Sequence, residues 1–254
     1  MIKSFIARLK QGHQTGKFPH KDPVMPDRFL GLPELSEGAC PETCSACMDV
    51  CPTNAISHDA DGLRLDMGRC LFCGKCQSCC AEKRISFTSQ HDLGTFTREG
   101  LVRTAKSGCS YDIQPDKAIS KLVGRSLKLR HVSAGGCAAC ELDFNALNTL
   151  AWDLARFNIE VVASPRHADA VLVTGSVTKN MLLALKKTYE AVPKPSFVIA
   201  CGTCAISGGL YADSDQTCGG LEEVLKPDLY IPGCPPHPAT LLDALVRFMG
   251  KKPR

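Results

Sequence analysis

Eight cysteines between residues 40 and 80 fall into two groups with almost the same spacing. The first is Cys40-x3-Cys44-x2-Cys47-x3-Cys51, and the second is Cys70-x2-Cys73-x2-Cys76-x3-Cys80. Three closely spaced thiolates can bind three irons of one [4Fe–4S] cluster, while the cysteine three residues further on points to a neighbouring cluster. The spacing therefore predicts two clusters, one on Cys40, Cys44, Cys47 and Cys80 and one on Cys51, Cys70, Cys73 and Cys76.

Two features of these groups leave alternatives open. The spacing from Cys40 to Cys44 is one residue longer than the matching spacing in the second group, and Cys80 is followed by Ala81. Cys79 is therefore an alternative to Cys80 as a ligand of the first cluster. Paired structural zinc sites are the other interpretation, because cysteine is also the usual ligand of structural zinc. Zinc sites take their ligands in two pairs, whereas three cysteines follow each other closely here, twice. This pattern favours iron–sulfur clusters.

Five more cysteines lie in loops that directly follow predicted strands. The loop "GGCAACELDF" contains Cys137 and Cys140, "CGTCAISGG" contains Cys201 and Cys204, and "PGCPPHP" contains Cys234. In an open α/β sheet, ligands bind beyond the carboxyl ends of the strands, so these distant loops should meet at one edge. Four thiolates at that edge could hold a third [4Fe–4S] cluster.

The apolar pattern after residue 126 predicts the elements that position these loops. Short β-branched runs predict strands at 126–132, 159–163, 170–175, 196–200 and 228–231. Helical spacing of apolar residues predicts helices at 142–157, 180–192 and 239–249. Strands that alternate with helices indicate an α/β domain with a mostly parallel, flavodoxin-like sheet.

The whole chain divides into four parts on this evidence. Residues 1–33 form a basic arm with little apolar periodicity, 34–89 the two-cluster module, 90–125 a connector, and 126–254 the α/β domain. The arm carries six Lys or Arg residues but few aromatic ones. We therefore expect it to be solvated or to contact a partner subunit, and we do not expect it to bind nucleic acid.

Composition limits the class of protein. The chain has 254 residues, 44% of them hydrophobic, with 16 cysteines and a formal net charge of +4. No apolar stretch is long enough for a signal peptide or a membrane span. Clustered cysteines in such a chain bind metal more often than they form disulfides.

Two segments resemble known families. On its paired cysteine groups and "CPTNAI" at 51–56, the segment 34–89 resembles the bacterial two-cluster ferredoxin domain. On "GGCAACELDF", "SPRHADAVLVTG", "CGTCAISGG" and "YIPGCPPHP", residues 126–245 resemble the small subunit of membrane-bound energy-converting group 4 [NiFe] hydrogenases, the formate hydrogenlyase group. That subunit is homologous to the 20 kDa subunit of complex I. The resemblance implies four ligands for the third cluster: Cys137, Cys140, Cys204 and Cys234.

Two details favour the hydrogenase side of this resemblance. Cys137 and Cys140 are separated by two residues and followed by Glu141, whereas complex I subunits place two cysteines side by side. His167 also stands where complex I subunits usually carry Gln. The alternative is a complex-I-like NADH or ferredoxin:quinone oxidoreductase subunit that passes electrons to a quinone.

The resemblance implies an iron–sulfur subunit of an oxidoreductase complex, with no bond chemistry in this chain alone. Electrons would pass between the Ni–Fe site of a large partner subunit and a donor or acceptor, such as ferredoxin, a formate dehydrogenase or a CO dehydrogenase. Antiporter-like membrane subunits would be neighbours. These partners imply a peripheral location at the cytoplasmic face of the inner membrane.

Several further residues lie outside the twelve predicted ligands. Cys201 precedes Cys204 by three residues and is an alternative ligand. Glu141 either relays protons or stabilises a helix start through the helix dipole. His131 and His237 are expected to be hydrogen-bonded polar residues. Buried free thiols are the expectation for the cysteines left over: Cys79, Cys109, Cys201 and Cys218.

Overall fold

A computed structural model of the chain gives its architecture. The structure describes residues 2–12, 15–36, 38, 40, 44–59, 62–107 and 117–251. Cys109 and the middle of the predicted connector, 108–116, lie outside the described residues.

Short elements make up most of the first half of the chain. In order, they are helix α1 (Ile2–Gln11), strand β1 (Pro33–Leu35), helix α2 (Ala46–Asp49), strands β2 (Ile56–Asp59) and β3 (Gly62–Asp66), helix α3 (Lys75–Cys79), strands β4 (Ile85–Phe87) and β5 (Val102–Thr104), and helix α4 (Lys117–Val123). Helix α1 lies in the arm for which the sequence indicated little periodicity. Its apolar residues follow helical spacing, so that part of the prediction was wrong.

Two small antiparallel sheets hold the ends of the cysteine-rich loops. Strand β1 pairs with β4, which places Pro33 opposite Phe87 and closes the segment on both sides of the two cysteine groups. Strands β2 and β3 form a hairpin between the groups, and β5 pairs with β3 as a third strand. Helices α2 and α3, which carry Cys47 and Cys76, contact each other.

The second half of the chain alternates strands and helices. In order, they are β6 (Leu127–Ser133), α5 (Ala139–Ala146), β7 (Ile159–Val161), β8 (Ala170–Thr174), α6 (Lys179–Glu190), β9 (Phe197–Cys201), α7 (Thr203–Ser207), β10 (Leu229–Ile231) and α8 (Pro238–Phe248). The sheet order is β10-β9-β8-β6-β7, and every pairing in it is parallel. This is the flavodoxin-like order, and the predicted α/β class is confirmed.

One predicted helix is wrong over its second half. The helix expected at 142–157 ends at Ala146, and residues 154–157 form a separate 3-10 turn. Asp153 between them has a φ of 47°, in the left-handed region that interrupts a helix. Leu147 and Leu154 are both buried, and the Leu154 N–H donates to the Leu147 carbonyl at 2.9 Å. The spacing of these apolar residues matches that of a helix face, but here both side chains are buried at the two ends of a loop that this hydrogen bond closes.

The two halves of the chain share a core. On one face of the parallel sheet, Leu172 belongs to a cluster with Phe144 of α5 and Leu245 of α8. On the other face, Val171 belongs to a cluster that extends to Leu65 of β3 in the first half. The cysteine-rich segment is therefore packed against this second face of the α/β sheet.

The described end of the connector strengthens this junction. Thr95 and Tyr230 of β10 exchange backbone hydrogen bonds of 2.9 and 2.8 Å in an antiparallel bridge. The bridge adds a short edge partner to the parallel sheet directly before β10 enters the Cys234 loop. It thereby positions that loop relative to the first half of the chain.

Candidate functional site

The first cysteine set gathers around the start of α2 and the end of α3. Cys47 is buried on α2, and burial is the largest cause that raises its pKa. Three neighbouring thiols raise that pKa further because they lie close by: Cys79, Cys80 and Cys40. The remaining predicted ligand, Cys44, is exposed two residues before α2 begins. Residues 30 to 40 apart in the sequence are therefore neighbours in the fold.

Cys79 and Cys80 differ in their hydrogen bonds. The backbone N–H of Arg84 donates to the Cys80 sulfur at 3.3 Å, which is how a thiolate ligand is commonly stabilised. The Cys79 thiol instead donates to the carbonyls of Ala46 and Cys76 at 3.6 and 3.5 Å. Cys79 is exposed, so the expectation that it is a buried thiol was wrong.

The second set surrounds one small cavity. Its walls include four cysteines, Cys51, Cys70, Cys73 and Cys76, together with apolar side chains such as Ile56, Leu65 and Phe87. Burial raises the pKa of Cys70 to about 12, and the three other thiols of this set add to the rise. Backbone N–H groups of Ala55 and Phe72 donate to the sulfurs of Cys51 and Cys70 at 3.2 and 3.3 Å.

The third set lies at the carboxyl edge of the parallel sheet. Cys137 follows β6, Cys140 is on α5, Cys204 is on α7 after β9, and Cys234 follows β10. Burial raises the pKa of Cys140 to about 12 and that of Cys204 to about 11. The charges of Cys137 and Cys234 contribute to both shifts, and that of Cys204 contributes to the shift of Cys140. The four thiols that the resemblance named are therefore neighbours in space.

Glycines bring the backbone close to the sulfurs of the third set. Gly202 has a φ of 88°, and a Cβ placed on it would lie 2.6 Å from the Cys140 sulfur. A Cβ on Gly209 would lie 3.0 Å from the Cys204 sulfur. The first distance is too short for any Cβ, and the second would require the sulfur to shift by a few tenths of an ångström, so glycine lets both loops pass close to the sulfurs.

Within the part of the chain that the structure describes, no group of three or more His, Cys, Asp or Glu side chains is placed to hold a metal ion. A [4Fe–4S] cluster bonds each thiolate through a separate iron, so its ligands need not converge on one ion. Four thiols per set, N–H donors to sulfur and a glycine-lined loop are the donor chemistry that such a cluster requires.

Cys201 is fully buried at the end of β9, and burial raises its pKa well above the ordinary value. It belongs to the apolar core on the α8 side of the sheet, as a small hydrophobic residue. This bears out the expectation of a buried thiol for Cys201. Cys218 is only half-buried.

Polar side chains next to the third set form a chain of hydrogen bonds. Ser133 and Thr174 donate to the same carboxylate oxygen of Glu141, at 2.6 and 2.7 Å. Burial opposes the ionisation of Glu141, but these hydrogen bonds outweigh it and lower its pKa. Because the Thr174 hydroxyl hydrogen goes to Glu141, His131 Nε2 must donate its own hydrogen to Thr174, 3.0 Å away.

Both histidines are hydrogen-bonded, as the sequence suggested. His131 forms a hydrogen bond with Thr174. His237 caps α8, because its Nδ1 accepts a hydrogen bond from the Ala239 N–H at 3.1 Å. Ser133 and Thr174 were not predicted as parts of this network. They end two neighbouring strands, β6 and β8, and this shared position is the signal that could have found them.

The second and third sets are joined directly. Leu71 and Phe72 of the second loop line the same pocket as Cys234, across the halves of the chain. Thr203 Oγ1, next to Cys204, donates to the Cys70 carbonyl at 2.8 Å, and Ser207 Oγ donates to the Gly68 carbonyl at 2.9 Å. Neither hydroxyl was recognised from the sequence, where they are two ordinary small polar residues in "CGTCAISGG".

No helix among the residues that the structure describes is both long and apolar enough to cross a membrane.

Comparison with known proteins places the second half of the chain among subunits of oxidoreductase complexes. The family model described as "NADH ubiquinone oxidoreductase, 20 Kd subunit" matches residues 137–248. The first two cysteine sets lie outside the matched residues.

Two curated relatives illustrate the breadth of this match. "Probable membrane-bound hydrogenase subunit mbhJ" of Pyrococcus furiosus is 39% identical over 133 residues, which are 52% of this chain and 80% of that protein. An NADH-quinone oxidoreductase subunit of Citrifermentans bemidjiense is 44% identical over 116 residues, which are 46% of this chain and 68% of that protein.

A solved structure is also similar. It is titled "Structure of the membrane-bound sulfane sulfur reductase (MBS), an archaeal respiratory membrane complex", and the compared chain is 34% identical. The match covers 52% of this chain and 73% of that one, with a TM-score of 0.46.

Proposed function

This chain belongs to the NADH ubiquinone oxidoreductase 20 kDa subunit family, and we propose that it is the iron–sulfur electron-transfer subunit of a membrane-associated energy-converting [NiFe] hydrogenase. Members of the family are subunits of oxidoreductase complexes and bind a [4Fe–4S] cluster. The observation that carries the proposal is the hydrogen bond of 2.8 Å from Thr203 Oγ1, next to Cys204, to the Cys70 carbonyl, because it makes the second and third cysteine sets neighbours.

Three [4Fe–4S] clusters are the proposed cofactors. Each one, when bound, can accept and return a single electron. The residues that would hold them are Cys40, Cys44, Cys47 and Cys80 for the first, Cys51, Cys70, Cys73 and Cys76 for the second, and Cys137, Cys140, Cys204 and Cys234 for the third. The N-terminal segment would then act as a ferredoxin-like module that is built into the subunit.

The surface around the third set supports a large partner subunit on that side. Cys137 and Cys234 are exposed, although their neighbours Cys140 and Cys204 are half-buried. Exposed apolar side chains lie on the elements that carry this set, namely Leu142 on α5 and, just after α7, Leu210 and Tyr211. Exposed apolar area next to unshielded ligands is typical of a surface that another subunit covers.

The relatives are compatible with two kinds of large partner subunit, and the sequence favours one of them. The hydrogenase interpretation would place a Ni–Fe site on the large subunit, with antiporter-like membrane subunits and a ferredoxin, formate dehydrogenase or CO dehydrogenase as further partners. The spacing Cys137-x2-Cys140-Glu141 and the presence of His167 favour it over a subunit that serves a quinone. The complex would lie at the cytoplasmic face of the inner membrane, with this chain as a peripheral subunit.

Iron and sulfide analysis with EPR tests the cofactor proposal. Protein purified without oxygen should contain about twelve irons and an equal amount of sulfide per chain. The dithionite-reduced protein should give EPR signals of reduced [4Fe–4S] clusters with magnetic interaction between them. Zinc in place of iron, with no EPR signal, would exclude the iron–sulfur proposal.

Isolation of the native complex tests the partner. A large subunit with two Cys-x2-Cys pairs, nickel in the preparation and uptake or evolution of H₂ would support the hydrogenase interpretation. A large subunit without those pairs, together with reduction of a quinone, would support the alternative instead.

A further inference from the structure

Helix α1 presents an apolar face that nothing in the described structure covers. None of its residues is buried, and its apolar side chains are 78% exposed at Ile2, 64% at Phe5, 45% at Ile6 and 69% at Leu9. These four positions follow the i, i+3, i+4, i+7 pattern of one helix face. The face is therefore continuous, and it is one side of a regular amphipathic helix.

The charges of α1 are arranged at the borders of this face. At about 100° per residue, the four apolar side chains span an arc of about 100°. Lys3 and Lys10 lie just beyond one border of the arc, and Arg8 lies beyond the other. Ser4 and Gln11 occupy the opposite side of the helix. Long basic side chains beside an apolar face can extend to charged groups while their aliphatic parts stay in apolar surroundings.

Acidic residues are absent from this part of the sequence. Residues 1–21 contain five Lys or Arg residues and no Asp or Glu, and the first acidic residue is Asp22. An apolar helix face bordered by positive charges alone complements a surface with negative groups on the outside and an apolar layer beneath them. A membrane with anionic lipids has this chemistry, and each basic side chain near it adds to the attraction.

The length of α1 also fits a surface location. Ten residues make a helix of about 15 Å, roughly half the hydrocarbon thickness of a bilayer, so α1 can lie on a membrane but cannot cross it. An isolated helix of this length is marginal in water, so burial of its apolar face would stabilise it.

We infer that α1 lies in the plane of a membrane surface, with Ile2, Phe5, Ile6 and Leu9 in the acyl boundary and its basic residues on anionic headgroups. This inference rests on the proposed function, which places the chain in a membrane-associated complex. It adds a direct contact between this peripheral subunit and the membrane.

Vesicle binding of the full-length holoprotein tests the inference. Binding is measured by co-flotation with vesicles of phosphatidylcholine alone and with vesicles that also contain about 30% phosphatidylglycerol. We expect at least about tenfold tighter binding to the anionic vesicles, with most of the difference lost at high salt. Phe5→Ser with Leu9→Ser should weaken binding to anionic vesicles by about tenfold or more.

A matched variant controls for the introduction of two serines and for the loss of helix propensity. Ala7→Ser with Gln11→Ser changes two positions outside the apolar arc and should bind like the unmodified protein. Iron content and cluster absorbance, measured on each sample, separate the two proposals, because vesicle binding does not require that the clusters are identified correctly.

Three outcomes overturn the inference. One is equal binding to neutral and anionic vesicles, and a second is binding that the Phe5→Ser/Leu9→Ser protein retains. The third is an absence of vesicle binding together with loss of co-purifying subunits from that variant, which would make this face a protein-docking surface.

Discussion

Thr203 Oγ1 donates a hydrogen bond to the backbone carbonyl of Cys70 across 2.8 Å, and both residues are buried. The same hydroxyl approaches the Gly233 carbonyl at 3.2 Å. Thr203 thus contacts the loop of the second cysteine set and the loop that carries Cys234, while it precedes Cys204 in the chain. One side chain fixes the relative position of ligand loops from both halves of the protein.

We predict that Thr203→Val lowers the free energy of unfolding by about 1–3 kcal/mol, because buried carbonyls would lose their donor at little change in volume. The measurement is urea unfolding of the cluster-loaded protein without oxygen, followed by visible absorbance and circular dichroism. Thr203→Ser retains the hydroxyl and should keep most of the stability. A Val variant as stable as the Ser variant would show that the hydrogen bond contributes little.

Gly202→Ala should remove the third cluster selectively. The new Cβ would lie 2.6 Å from the Cys140 sulfur, so either this ligand or the loop must move. We expect a loss of about one third of the iron, with the EPR signals of the other clusters retained. Iron analysis and EPR of the reduced protein provide the measurement.

Gly62→Ala is the control for backbone strain in that experiment. Gly62 also has a positive φ, of 106°, but a Cβ placed there meets no atom within 4 Å. Both substitutions carry the cost of a left-handed backbone, whereas only Gly202→Ala intrudes on a sulfur. Equal iron loss in the two variants would mean that strain, and not the approach to Cys140, is responsible.

Cys80→Ala and Cys79→Ala should have different effects on the first cluster. Cys80 accepts an N–H from Arg84, while the Cys79 thiol is engaged by two backbone carbonyls. We therefore expect Cys80→Ala to lose about one third of the iron and Cys79→Ala to keep it all. The reverse result would assign the ligand to Cys79, and the two proteins serve as controls for each other.

The strands could be expected from the sequence because parallel strands that are buried on both faces consist of short β-branched runs. Strand β8, for example, is buried at every residue from Ala170 to Thr174. The meeting of the Cys137, Cys204 and Cys234 loops follows from topology, since carboxyl ends of parallel strands share an edge. These parts of the site depend on local pattern and connectivity alone.

Contacts between the two halves of the chain could not be expected in the same way. The hydrogen bond from Thr203 to Cys70 joins residues 133 positions apart, and no local periodicity encodes such a pairing. The helix of the basic arm is a different case. Its apolar residues have clear helical spacing: Ile2, Phe5, Ile6 and Leu9. The segment is only ten residues long, and its apolar face has no partner among the described residues, so its basic charge is the more prominent feature of the sequence.

Asp243 on α8 should make stability depend on pH. Its side chain is 2% exposed, and burial raises its pKa to about 6, although Arg247 Nε donates to it at 2.7 Å. Further acidic groups, Asp92 and Asp22, also raise this pKa. An aspartate in the unfolded chain has a pKa of about 3.9, so between these two values the folded state binds more protons than the unfolded state.

The consequence is that the contribution of Asp243 to folding stability falls as the pH rises from about 4 to about 6 and is then constant. In Asp243→Asn, this part of the dependence should disappear. The difference in unfolding free energy between the unmodified protein and the variant should change by about 2 kcal/mol between pH 4.5 and pH 7. The ion pair with Arg247 forms only as Asp243 ionises, so its loss in the variant is already part of this pH-dependent difference. Asp213→Asn, at an exposed position, is the control for the change from a carboxylate to an amide. Parallel profiles for Asp243→Asn and the unmodified protein would mean that Asp243 titrates alike in the folded and unfolded states.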